Sequence, residues 1–201
     1  WGKDENSKRK MASTTKIMSS TIVIENIDDL SAIVTVSKKA AGVGGSRLGL
    51  STGDKITVND LLYGLMLKSG NDCAIALAEY VCETVDNFVD KMNEKAINLG
   101  LTQTHFVTVN GLDAEEHYTT ALELAKITDY ALKNEKFRNI VDCKSYTVTI
   151  NGNGKTIGNT NELLGNLDGV YGVKTGFTNG ANRCLVTATK RGEMDIICIV
   201  L

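Results

Sequence analysis

Three short groups of residues have the types and spacing for acyl transfer. Ser13-Thr14-Thr15-Lys16 sets a hydroxyl three residues before an amine. Ser69-Gly70-Asn71 presents a hydroxyl and an amide two residues apart, and Lys174-Thr175-Gly176 joins a cation, a hydroxyl and a bare backbone position. A serine hydroxyl attacks a carbonyl only when a neighbour takes its proton. A lysine can do so when neutral, which requires burial or a second positive charge nearby. Lys174 is the candidate for that second charge. A Ser and an Asn on a loop can relay a proton and hold an amide. A strand edge bearing Lys and Thr can pair with a substrate backbone and bind a carboxylate, with Gly leaving room for close approach.

Each group alone has a plainer reading: an N-cap Ser with an exposed Lys, a helix-ending turn, a strand end. Ser7-Lys8-Arg9-Lys10 repeats the first spacing inside a run of charge with no apolar helix face, and reads as solvated surface. The elements that would carry the three groups set them apart. Ser13 opens a segment with Ile17, Met18 and Ile22 on one side, an amphipathic helix to about Val23. At its start, unpaired N–H groups and the helix dipole favour a developing anion, and Lys16 lies one turn on. Ser69 breaks a helix that Asn59 caps, and residues 72–83 are apolar on nearly all sides. Phe88, Met92, Ala96 and Leu99 recur at helical spacing, and Thr120 with Glu123 is a capping-box pattern.

After Cys143 the period becomes that of strands. Tyr146, Val148 and Ile150 lead into Asn151-Gly152-Asn153-Gly154, a hairpin turn. Gly169 to Gly176 is β-type, and Lys190-Arg191-Gly192-Glu193 joins two closing strands. With a short strand over Ala32 to Val36 and a Gly- and Ser-rich loop over 37–54, the order predicts an α+β fold. An antiparallel sheet would be flanked by helices, with a helical lobe over 37–142 inserted between 1–36 and 143–201.

Composition narrows the function classes. The 201 residues are 42% apolar and 23% charged, with net charge −2, so nothing attracts nucleic acid or anionic lipid over the whole surface. No apolar run reaches the ~18 residues of a membrane span. The five Cys are scattered without a CxxC or a Cys/His cluster, so no metal is implied, and they read mostly as buried free thiols. His105 and His117 have no Ser context for a Ser-His-Asp triad. Proline is absent, where ~5% usage would give about ten.

Taken in order, the three groups resemble the signatures of β-lactamases and penicillin-binding proteins. The chain is similar over nearly its whole length to the low-molecular-weight penicillin-binding proteins, serine-type D-Ala-D-Ala carboxypeptidases of the β-lactamase/transpeptidase-like fold. Met11–Met18, Leu61–Ala74, His105-Phe106, Asn110–Asp113, His117–Ala121 and Gly172–Thr178 carry the likeness. It implies that Ser13 attacks the bond between the two terminal D-alanines of a peptidoglycan stem peptide, with Lys16 as general base and Ser69 passing the proton. It implies an oxyanion site at the N–H groups of Ser13 and Phe177, a carboxylate site at Lys174, Thr175 and Gly176, and Asn71 orienting the peptide. β-Lactams would acylate Ser13, no cofactor is needed, and the work is done outside the cytoplasm. A membrane would be reached only through segments outside this chain.

Against the family, Met11 and Val109 stand where Pro is common, which predicts looser loops beside the site. Asn182 stands where Gly is common, and Asn tolerates the positive φ such a turn needs. The chain reads as a catalytic core shortened at both ends. Two alternatives are a β-lactamase, disfavoured by the lack of an E-x-x-L-N sequence between Asn71 and Lys174, and a sensor module that is acylated without turnover.

Overall fold

The computed structural model describes residues 1–201. Seven α-helices and seven strands form one α+β unit around a single core cluster of 41 buried residues. A 3₁₀ turn over Ala12–Thr15 runs directly into α1 (Lys16–Asn26). Helix α1 is the axis of the molecule. It is buried from Lys16 to Val23, whereas its sequence suggests one apolar side only. Its polar residues tolerate this because their hydroxyls bond to carbonyls. Ser20 and Thr21 donate to the carbonyl of Ile17 at 3.0 and 2.8 Å, and Ser19 donates to that of Val109 at 2.6 Å.

Strand β1 (Ile33–Thr35) pairs antiparallel with β2 (Lys55–Thr57), so the inserted segment is not wholly helical. Between them lies α2 (Lys38–Gly42), a short helix within the Gly- and Ser-rich stretch. Helix α3 (Val58–Leu67) is capped by Thr57, not by Asn59; the Thr57 hydroxyl accepts from the N–H of Asp60. The Asn59 amide instead donates to the Tyr146 hydroxyl at 2.9 Å. Helix α4 (Asn71–Cys82) is buried through Ala78, and α5 (Val85–Asn98) buries Phe88, Met92 and Ala96.

Thr120 caps α6 (Ala121–Leu132), but the Glu123 carboxylate turns away from the box. It accepts from the N–H groups of Thr102 and Gln103 and from the Thr104 hydroxyl, tying that loop to the helix. Helix α7 (Glu135–Val141) follows.

Strands β3 (Ser145–Ile150) and β4 (Asn153–Gly158) form a hairpin that joins no larger sheet. It lies on α3, where Tyr146 stacks on Tyr63 at 3.6 Å and Asp60 accepts from the Tyr146 hydroxyl and the Thr149 N–H. The main sheet is β5 (Val170–Thr178), β6 (Asn182–Arg191) and β7 (Met194–Val200), antiparallel and in that order. Asn182, the first residue of β6 at φ 59°, closes the β5–β6 turn in the left-handed conformation that Asn accepts. All five cysteines are free. Cys73 and Cys184 are buried, whereas Cys198 is exposed on β7. No helix is long and apolar enough to cross a membrane.

Candidate active site

The 3₁₀ turn presents Ser13, and the first residue of α1 presents Lys16 beneath it. Lys16 is fully buried and its ammonium has three partners. It donates to Ser13 Oγ at 2.8 Å, to Asn71 Oδ1 at 2.8 Å and to the Asn110 carbonyl at 2.6 Å. The Asn71 and Asn110 acceptors take two N–H bonds and fix the amine's orientation, so in the neutral form its lone pair faces Ser13 Oγ, which then donates to it. Its pKa is pushed well below the usual lysine value, first by burial and then by the charge of Lys174; Cys73 and Asp72 act the other way. Lys174 is buried beside it, and desolvation lowers it to about 7. The site therefore favours a neutral Lys16 in contact with a serine hydroxyl, the arrangement needed to remove the Ser13 proton.

Strand β5 brings Lys174, Thr175, Gly176 and Phe177 against the turn. A Cβ at Gly176 would lie 3.0 Å from Ser13 N and 3.1 Å from Ala12 Cβ, so any side chain there would force the strand or the turn to give by a few tenths of an ångström. Ala12 itself is at φ 46°, and Gly111, at φ 86°, lies so close that a Cβ there would overlap the Ala12 carbonyl.

A cleft of about 600 Å³ opens over Ser13, walled by Ser46, Ser69, Thr175, Gly176 and Phe177. Ser69 sits at φ 60° between α3 and α4. Thr175 shares a hydrogen bond of 2.7 Å with Thr160 across the cleft's edge. Lys16, Asn71 and Lys174 are not in the lining. They stand beneath it. Both ends of the Asn71 amide are engaged, Oδ1 by Lys16 and Nδ2 by the Gly44 carbonyl at 2.7 Å, so Asn71 holds the base and a loop rather than facing an open subsite. Lys174 Nζ donates to the Thr175 carbonyl at 2.9 Å.

Three supporting residues escape motif reading. Asn110 supplies Lys16 with a carbonyl from 94 positions away. Buried Asp72 accepts from the N–H groups of Leu48, Gly49 and Leu50, fixing the loop that walls the cleft beside Ser46. His117 Nδ1 accepts from Val107 N–H at 2.9 Å. Its Nε2 meets Thr15 Oγ1 at 2.8 Å, and that hydroxyl donates to the Ala12 carbonyl. These partners set the ring as the neutral Nε2–H tautomer, and burial lowers its pKa to about 4. All three lie in stretches that carried the family likeness, Leu61–Ala74, Asn110–Asp113 and His117–Ala121, but nothing in the sequence pointed to these roles. Met11 is buried, with its carbonyl taking the Thr14 hydroxyl at 2.6 Å, and Val109 is held through Ser19. Ser7-Lys8-Arg9-Lys10 lies apart on the surface, where Lys8 sits over the Tyr118 ring. No three His, Cys, Asp or Glu side chains gather as a metal site.

An α+β fold whose central helix begins at a serine above a buried lysine is that of the penicillin-binding serine DD-peptidases. The sequence profile of the D-alanyl-D-alanine carboxypeptidase family matches residues 1–201, and the chain belongs to that family. It is 41% identical to a D-alanyl-D-alanine carboxypeptidase of Streptomyces sp. (strain K15) over 99% of this chain and 74% of that one. It is 37% identical to the D-alanyl-D-alanine carboxypeptidase DacF of Bacillus subtilis, over 100% of this chain and 53% of the relative. The chain thus spans about half the length of the latter. The crystal structure of the Streptomyces K15 DD-transpeptidase superposes with a TM-score of 0.94 at 39% identity, covering 100% of this chain and 83% of that one.

Proposed function

We propose that this chain carries the catalytic site of a serine-type D-Ala-D-Ala carboxypeptidase that trims the terminal D-Ala from peptidoglycan stem peptides. The observation that carries the reading is the 2.8 Å contact between Ser13 Oγ and the buried, pKa-lowered Lys16. Lys16 takes the Ser13 proton as Oγ attacks the penultimate D-Ala carbonyl. The oxyanion is stabilised by the N–H groups of Ser13 and Phe177, which Gly176 allows to approach. Collapse of the tetrahedral intermediate breaks the peptide bond. Ser69 passes a proton to the departing D-Ala amine, and water then hydrolyses the acyl-enzyme. Thr175 binds the terminal carboxylate in the cleft, while Lys174 contributes positive potential from beneath the wall. Asn71 acts through Lys16. This substrate implies work at the cell envelope, outside the cytoplasm, and β-lactams would acylate the same oxygen.

The test is incubation with a D-Ala-D-Ala peptide and, separately, with a labelled penicillin. Released D-Ala and a stable adduct, both abolished in Ser13→Ala, are expected. Retention of both in Ser13→Ala would refute the mechanism. Rapid turnover of the penicillin would assign a β-lactamase, and labelling without D-Ala release would assign a sensor.

A further inference from the structure

The loop from 43 to 50, between α2 and β2, is neither helix nor strand, yet it sets the side chain that orients the base. The Asn71 N–H donates to the Ser46 carbonyl at 2.7 Å, and Asn71 Nδ2 donates to the Gly44 carbonyl at 2.7 Å. Gly45, at φ 81°, lies so close that a Cβ there would stand 2.7 Å from Asn71 Nδ2. A shift of this loop therefore shifts the amide whose Oδ1 takes the Lys16 bond. Gly44 to Arg47 are exposed, whereas the side chains of Leu48 and Leu50 are buried.

One peptide unit of the loop is gripped between opposite charges. The Gly49 N–H donates to buried Asp72 Oδ2 at 2.8 Å, and the Leu48 carbonyl, the other end of the same peptide, accepts from Lys155 Nζ at 2.6 Å. The peptide dipole thus lies between a carboxylate and an ammonium, and each charge-assisted bond strengthens the other. Lys155 does not line the cleft. It comes from β4, 107 positions from Leu48. The β3–β4 hairpin that carries it grips the chain again just past the loop's end. Asn151 donates its N–H to the Lys55 carbonyl at 3.0 Å, accepts the Lys55 N–H on Oδ1 at 2.8 Å, and donates from Nδ2 to Asp54 at 2.7 Å. Fixed on α3 through Tyr146 and Asp60, this hairpin is a post from which Lys155 reaches the loop.

We infer that Lys155 is a positioning residue for the proposed reaction: by clamping the Leu48–Gly49 peptide against Asp72 it holds the 43–50 loop, and through that loop Asn71 and Lys16, in place. The inference rests on the carboxypeptidase reading for the reaction, so one arm of its test needs no activity. Arg47 is an exposed tryptic site beside the clamped peptide. Trypsin cleavage after Arg47, followed by mass spectrometry, should run about tenfold faster in Lys155→Met, because cleavage tracks the open population and one charge-assisted bond is lost. Lys155→Arg should restore the native rate. In the second arm, stopped-flow acylation by a labelled penicillin is followed against penicillin concentration. Lys155→Met should lower the limiting rate about fivefold, part of the ~10²-fold that 1 Å of misplacement costs, and leave the half-saturating concentration unchanged. Lys155→Arg should recover this rate too. Thr156→Ala, which removes the 2.9 Å Thr147–Thr156 hydroxyl bond from the same hairpin, should change neither arm. Unchanged Arg47 cleavage in Lys155→Met would overturn the inference. So would an unchanged limiting rate, a loss that Lys155→Arg fails to repair, or an equal loss in Thr156→Ala. No labelling of the unmodified protein would instead refute the carboxypeptidase reading and with it the catalytic role of Lys155, while the tryptic arm would still report on the clamp.

Discussion

Lys16 can take a proton from Ser13 only while neutral, and burial and the Lys174 charge both favour that form. The two lysines are thus coupled. If Lys16 is the general base proposed above, Lys16→Ala should slow penicillin acylation by about 10²–10⁴-fold, the usual contribution of a positioned general base. Lys174→Met acts differently. Loss of the neighbouring charge raises the Lys16 pKa, so less of the base is free at neutral pH. The acid limb of the acylation rate profile should move to higher pH, with the rate recovering as pH rises. Stopped-flow labelling across pH checks this; an unmoved limb would show that the Lys174 charge does not reach Lys16. The Ser13–Lys16 pair was legible because three residues are one helical turn. The partners of that pair were not. Asn110 and His117 reach the site from 94 and 102 positions away, by contacts that no local spacing encodes.

Elements determine how closely the nucleophile and the substrate-facing strand approach. Strand β5 meets the 3₁₀ turn through Gly176, where a Cβ would stand 3.0 Å from Ser13 N. Gly176→Ala should push the strand away from the turn and loosen the proposed oxyanion site. Acylation is expected to fall by about 10²-fold with little loss of stability, since losing one oxyanion donor has an effect of that order. Penicillin labelling and thermal melting together check it; equal losses in both would point to misfolding instead. At this scale the sequence carried most of the helices, through caps and apolar spacing, and both hairpins of the last third, through their turn residues. It misplaced one cap, because Asn59 is engaged by Tyr146 from another element. It also did not reveal that β3–β4 would lie on α3, since Tyr63 stacking on Tyr146 depends on tertiary packing. The missing prolines illustrate the same limit. Without the ring at residues 11 and 109, the chain still ties both positions by side-chain hydroxyl bonds to their carbonyls.

The whole molecule's stability should follow pH through groups whose folded pKa values differ from their unfolded ones. His117 falls from 6.5 to about 4 on burial. Between these values the unfolded chain binds more protons, so stability is fully present above 6.5 and lost as pH falls towards 4. The shift corresponds to about 3 kcal/mol. Protonation would also set an Nδ1–H against the Val107 N–H that the ring now accepts, breaking the tie between the 105–117 segment and the nucleophile turn. Lys174 adds a slope of the same sign between about 7 and its unfolded value of 10.5. Cys184, raised to about 11, and Tyr146 and Tyr171, raised to about 12, act oppositely. Their contribution is present below pH 9 to 10 and lost as pH rises through the folded values. The thermal midpoint should therefore climb from pH 4 to 6.5, climb again above 7, level off near pH 9 and fall above pH 10. His117→Gln should lower the midpoint at pH 7 and flatten the first rise while leaving the second. An unchanged slope between pH 4 and 6.5 in that variant would mean that another group controls acid unfolding.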